Sequence, residues 1–174
     1  GPARSWLERV WPKDGAPPTS VGFRAAFAGA ARRLRDCPVQ NGDARALGDG
    51  GVIRAEAWKI DAVARTALLS RALAVLPAPE HGDFVRQLYL RGDYHEQRAV
   101  LRSLTFLPQP ARFLEMAIDA CRTNVLDVFE GMACENAYPA AHFPEANFNQ
   151  MVLKAIFMEV KVERIAGLKD RATA

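Results

Sequence analysis

Cysteine and histidine are both scarce, at three residues each, and neither is spaced for a metal. Cys37, Cys121 and Cys134 are odd in number and far apart, without a Cys-x-x-Cys pair or a Cys/His ligand pattern. That argues against structural zinc and for free, buried thiols in a reducing cytoplasm. His81, His95 and His142 match no ligand spacing either, so neither a metal nor a cofactor is expected. Apolar runs long enough for a membrane span are lacking, and no signal peptide precedes the first helix. No useful run of alternating β-branched residues occurs, so strands are not expected. Ser20, Ser70 and Ser103 lack a Gly-x-Ser-x-Gly setting, and no carboxylate pair is spaced for acid/base work. A cluster of glycines and aspartates between residues 38 and 51 lacks both a preceding strand and a Gly-Lys-Ser/Thr ending, which excludes a phosphate loop.

Charge is modest in total, +3, but unevenly spread. Residues 1–76 hold 12 Lys and Arg against 7 Asp and Glu, while residues 77–174 hold 11 against 13. The basic run Arg32, Arg33 and Arg35 has no aromatics interleaved with it, as single-strand nucleic-acid binding requires. It reads as a solvated helix face, and no nucleic-acid partner is expected.

What is present is apolar residues at helical spacing. The chain of 174 residues is large enough for one domain to bury most of what its unfolded form exposes. Residues 1–18 read as a docking segment and linker: Trp6, Leu7, Val10 and Trp11 sit on a short amphipathic helix from Ser5 to Trp11, and Pro12 to Pro18 disfavour its continuation. Residues 19–174 read as a single all-α domain. Thr19 or Ser20 caps a helix with Phe23, Ala26, Phe27, Ala30, Ala31 and Leu34 inward, ended by Pro38. A long helix is expected over 52–76, with Trp58, Val63, Leu68, Leu69, Ala72, Leu73 and Leu76 on its buried side, and Pro77 and Pro79 end it. Asp83 is expected to cap the next helix, and Gly92 to close it. Asp93 with Glu96 three residues on reads as a capping box. Phe113, Leu114, Ala117, Ile118 and Cys121 mark a further helix, and Asn124 is expected to open another with Val125, Val128, Phe129, Met132 and Ala133 inward. Two helix pairs at a spacing of about 30 residues suggest an α-α helical repeat of the HEAT type, winding as a right-handed superhelix.

The last long helix is apolar on most of its circumference: Phe148, Met151, Val152, Ala155 and Ile156 on one face, Leu153, Phe157 and Val160 on another. Such a helix is expected to be enclosed by its neighbours. Asn149 then needs a partner, since an unpaired buried amide costs about 1–3 kcal/mol. The polar residues of this helix and of the segment before it, Asn136, Tyr138, His142, Asn149, Gln150 and Lys154, are the candidate ligand-binding group, joined by Arg122 and Glu130 near the adjoining helix ends. No catalytic residue can be named from spacing. His95 beside Glu96 reads as a surface residue at a cap, and Arg98 with Arg102 as a solvated stripe.

Residues 122–168 carry a distinctive wording. It runs Phe129-Glu130-Gly131-Met132-Ala133, then Asn136-Ala137-Tyr138-Pro139, then Asn149-Gln150-Met151-Val152-Leu153-Lys154-Ala155 with Phe157, then Arg164-Ile165 with Gly167-Leu168. This resembles the C-terminal signature of the EboA family, which belongs to bacterial and algal gene clusters linked to metabolite traffic toward the cell envelope. The resemblance carries over Asn136, Tyr138, Pro139, Asn149, Gln150, Lys154 and Arg164 and assigns none of them a catalytic role. It implies a cytoplasmic accessory or scaffold protein of a metabolite biosynthesis and export pathway. The partners implied are proteins of the gene cluster or a small apolar metabolite, with peripheral membrane contact left open. The other reading is a small-molecule enzyme of cyclase or isomerase type with an apolar pocket between helices. Gly1-Pro2 reads as the remnant of a cleaved tag, and the resemblance implies more helix beyond Leu168, so truncation is expected.

Overall fold

Apolar residues at a 3.6-residue period wind the described residues of this computed structural model (2–11, 20–34, 37 and 58–171) into ten α-helices. These are α1 (Pro2–Val10), α2 (Ser20–Leu34), α3 (Ile60–Val75), α4 (His81–Arg91), α5 (Tyr94–Ser103), α6 (Leu114–Ala120), α7 (Leu126–Ala133), α8 (Tyr138–His142), α9 (Glu145–Phe157) and α10 (Leu168–Arg171). No strand occurs among the described residues. The expected linker over 12–18, the Gly/Asp loop over 38–51 and residues 52–57 of the long helix expected over 52–76 lie outside the described residues.

The packing is centred on α5, which lies against α3, α4 and α7. Its C-terminal half is buried all round: Ala99, Val100, Leu101, Arg102 and Ser103 run consecutively without exposure. Two buried hydroxyls tie it to α3: Thr66 Oγ1 and Ser103 Oγ lie 2.8 Å apart, one donating to the other, which in turn donates to the carbonyl one turn back on its own helix, Ala62 or Ala99. On the opposite side Gly131 of α7 meets the backbone of Arg98, so closely that a Cβ there would lie 2.8 Å from Arg98 Cγ and 3.0 Å from Arg98 Cα. Absence of a side chain at residue 131 sets the α5–α7 spacing. The start of α5 is the expected capping box: Asp93 Oδ1 accepts from Glu96 N and Glu96 Oε2 from Asp93 N, both at 2.9 Å.

Trp6 and Leu7 of α1 are buried, and α1 packs on α3. In α2, Phe23, Phe27, Ala30 and Leu34 are buried, and the Phe23 ring meets Phe84 of α4 edge-on at 5.2 Å. Arg65 of α3 is enclosed with them, donating to the Phe27 carbonyl at 2.8 Å and to Asp61 at 2.6 Å. Its guanidinium also lies over the Phe27 ring, 5.5 Å from the centroid, so this buried charge is both paired and packed.

Several expected boundaries shift. α3 begins at Ile60, with Trp58 and Lys59 outside it, because the chain is extended at Lys59. α4 begins at His81, which puts Asp83 in its first turn, where it favours the helix dipole but caps nothing. Asn124 does not open α7. The Thr123 hydroxyl instead accepts from Val125 N at 3.1 Å, and Val125 is exposed.

The largest correction concerns α9. It is not enclosed. Phe148, Met151 and Ala155 are buried, each worth up to about 2–3 kcal/mol for the larger side chains. Leu153, Ile156 and Phe157 face outward. Apolar residues around a full circumference require a neighbour on every side, and here the described chain supplies one on a single side.

Candidate functional site

The structure divides the eight candidate residues into three groups. Asn136 and Tyr138 are buried and structural. Asn136 Nδ2 donates to the carbonyls of Leu101 (3.2 Å) and Gly131 (3.1 Å), while its Oδ1 accepts from Tyr138 N (3.0 Å) and the Thr105 hydroxyl (3.1 Å). One amide thus joins α5, α7 and α8. Tyr138 donates its hydroxyl to the Pro110 carbonyl at 2.6 Å, and burial raises its pKa. His142, half-exposed, packs its ring tilted at 48° against that of Tyr138, centroids 4.7 Å apart.

Glu130 belongs to a second group, a latch on the C-terminal segment. Arg164 donates to Glu130 (2.7 Å) and to both oxygens of Glu135 (2.6 and 3.1 Å), and Glu135 N donates to the Arg164 carbonyl at 2.9 Å. Glu135 holds a left-handed backbone, φ 46°, a conformation that a non-glycine residue keeps when its surroundings fix it. Arg102 reaches the same carboxylate at 3.1 Å and lies over the Trp58 ring at 5.5 Å. Burial, then the nearby Arg98, lowers the Arg102 pKa, with Glu135 acting against them. Burial would raise the Glu135 carboxyl, but the hydrogen bond from Arg164 and the charges of Arg164, Arg102 and Arg98 outweigh it and hold the carboxyl below its usual range. The expected solvated stripe is therefore corrected: Arg102 is 3% exposed. Its place between apolar residues, Ala99-Val100-Leu101 before it and Leu104 after Ser103, was the available signal.

The third group is a groove of about 310 Å³ where the end of α6, the segment after α8 and α9 meet. Arg122, Gln150 and Lys154 line it over a floor that includes Ile118, Phe143 and Met151. Arg122 is largely exposed and paired with Asp119 at 3.1 Å. Lys154 is half-buried, its ammonium 5.7 Å from the Phe129 ring centroid. Asn149, expected to be a buried amide, is exposed and faces solvent, so the desolvation cost that would demand a partner does not arise.

The cysteines are free, but only Cys134 is buried, while Cys37 and Cys121 are half-buried. Burial pushes the Cys134 thiol up to about 11 and the Cys121 thiol up to about 12, so both stay neutral near pH 7. Among the described residues no group of three or more His, Cys, Asp or Glu is placed to hold a metal ion, and no helix is long and apolar enough to cross a membrane.

These features define an all-helical protein with a latched C-terminal segment and an open groove rimmed by cations. The chain belongs to the EboA family: the model described as "Metabolite traffic protein EboA" matches residues 6–174, well beyond the 122–168 signature. Comparison with curated proteins and with solved structures finds no match.

Proposed function

We propose that this chain is a cytoplasmic accessory or scaffold protein of a metabolite biosynthesis and export pathway, engaging a partner protein through α9. The family description supports a role in metabolite traffic. The observation that carries the partner reading is the outer face of α9, where Leu153, Ile156 and Phe157 are 66%, 59% and 86% exposed. At positions i, i+3 and i+4 they form one apolar row, the pattern with which a helix seats in a partner's groove. Contact of α4 with α5 and of α6 with α7 supports reading the scaffold as a short stack of HEAT-type helix pairs.

The test is calorimetric titration of the purified chain with proteins encoded in its own gene cluster. Replacing Leu153 and Phe157 together by serine is expected to weaken the interaction at least about tenfold, as loss of interfacial anchors does, with an unchanged melting temperature. Binding that survives the double replacement overturns the proposal. A second reading, a small-molecule enzyme of cyclase or isomerase type or a metabolite-binding protein, is favoured by the groove lined by Arg122, Gln150 and Lys154.

A further inference from the structure

The groove lined by Lys154 holds cationic side chains over an apolar floor. The two latch arginines and the buried Arg65 of α3 are matched to carboxylates: Arg65 to Asp61, Arg102 to Glu135, and Arg164 to Glu130 and Glu135. Lys154 has no carboxylate within salt-bridge distance among the described residues, although it is half-buried. No acidic residue lines the groove, whereas two cations do. Its volume of about 310 Å³ is at the small end of what organic ligands occupy.

We infer that this groove binds a small amphipathic anion, with its carboxylate or phosphate head on Lys154 and Arg122 and its apolar body over Ile118, Phe143 and Met151. This rests on the second reading above, small-molecule binding, and adds the class of ligand; it asks nothing of the outer face of α9. The geometry suits one end of the ligand to each part of the groove. Lys154 sits one turn beyond Gln150 and three residues beyond Met151, so a head at the ammonium places the attached chain along the apolar floor. Gln150, exposed on the same face, supplies an amide that donates to the head. Cys121 completes the lining as a neutral thiol: burial raises its pKa, with Lys154 acting against that shift, which also places the two groups within electrostatic reach. A half-buried ammonium held over an aromatic ring keeps part of its hydration, and an anion arriving there replaces water with a charge-assisted hydrogen bond.

The test is calorimetric titration of the full chain with decanoate, decyl phosphate and 1-decanol, each below its aggregation limit, on wild type, Lys154→Met and Lys154→Arg. Expected are saturable binding of at least one of the two anions, binding of decanol weaker by about tenfold or more, and loss of that difference in Lys154→Met with retention in Lys154→Arg. Which anion binds more tightly distinguishes a carboxylate from a phosphate head. Decanol binding as tightly as both anions overturns the anion assignment and leaves the small-molecule reading standing. No binding of any of the three overturns both. A melting temperature unchanged in Lys154→Met shows that the fold is intact in the comparison.

Discussion

Replacing Asn136 by alanine is the perturbation whose size follows most directly from the structure. The side chain is 4% exposed and makes four hydrogen bonds within van der Waals packing. Alanine leaves Tyr138 N without its side-chain acceptor in the first turn of α8, at a cost of about 1–3 kcal/mol. The Leu101 carbonyl keeps the bond it accepts from Leu104 N, so its loss is partial, as for a carbonyl with a second lone pair to fill. The same holds for the half-buried Thr105 hydroxyl, which water can reach. Adding the smaller contributions gives roughly 3–4 kcal/mol in total, or roughly a 10 °C fall in melting temperature for a chain of this length. Urea unfolding followed by far-ultraviolet circular dichroism measures it as a lower midpoint at constant slope. Asn149→Ala is the control: an exposed amide on α9 is expected to change stability by less than about 0.5 kcal/mol. If Asn136→Ala loses under about 1 kcal/mol, or matches the control, the anchoring role assigned to this amide is wrong.

Two further outcomes follow from the latch and from the α5–α7 contact. Because Glu135 has its carboxyl held below the ordinary value, the stability it contributes is fully present above about pH 4.5 and is lost as pH falls through the lowered folded value. Glu135→Gln is expected to flatten that acid-side loss in chemical denaturation measured from pH 7 to pH 3, and an unchanged slope removes the latch from the account. Gly131→Ala is expected to destabilise by about 1–3 kcal/mol through its clash with Arg98, whereas Gly29→Ala, mid-helix in α2 with nothing within 4 Å of the new methyl, is expected to stabilise by up to about 1 kcal/mol. Equal effects of the two in thermal unfolding would show that the close approach at residue 131 is not what matters.

Local signals carried far in this chain where a short-range rule decides the outcome. The capping box at Asp93 and Glu96 needs only residues three apart, and it forms as read. The inner faces of α2 and α7 follow from periodicity because each of these helices is amphipathic, so one stripe answers to one neighbour. The reading failed where the outcome depends on how many neighbours a helix has. In α9 the apolar residues pointed to enclosure, yet Leu153, Ile156 and Phe157 remain outside, and apolar residues left on a surface are common enough that composition does not separate the cases. Arg102 failed in the opposite sense. Charge suggested solvent, while its position on the most enclosed helix requires burial, and its partner Glu135 lies 33 residues away, beyond any spacing rule.

The residues that prompted the family resemblance divide by burial, and the division says where function is to be sought. Asn136, Tyr138 and Arg164 are each accounted for by the fold: the first binds three elements together, the second ties α8 to the Pro110 carbonyl, and the third fastens the C-terminal segment to Glu130 and Glu135. Substitution at any of them acts on function through stability. Gln150 and Lys154 have no such account. Gln150 is exposed, and Lys154 is half-buried with its ammonium 5.7 Å from the Phe129 ring centroid; neither side chain makes a hydrogen bond or ion pair within the fold among the described residues. Lys154 is the half-buried cation of this set without a carboxylate partner among the described residues, and it borders a groove with no acid in its lining, which is why the ligand proposal centres on it.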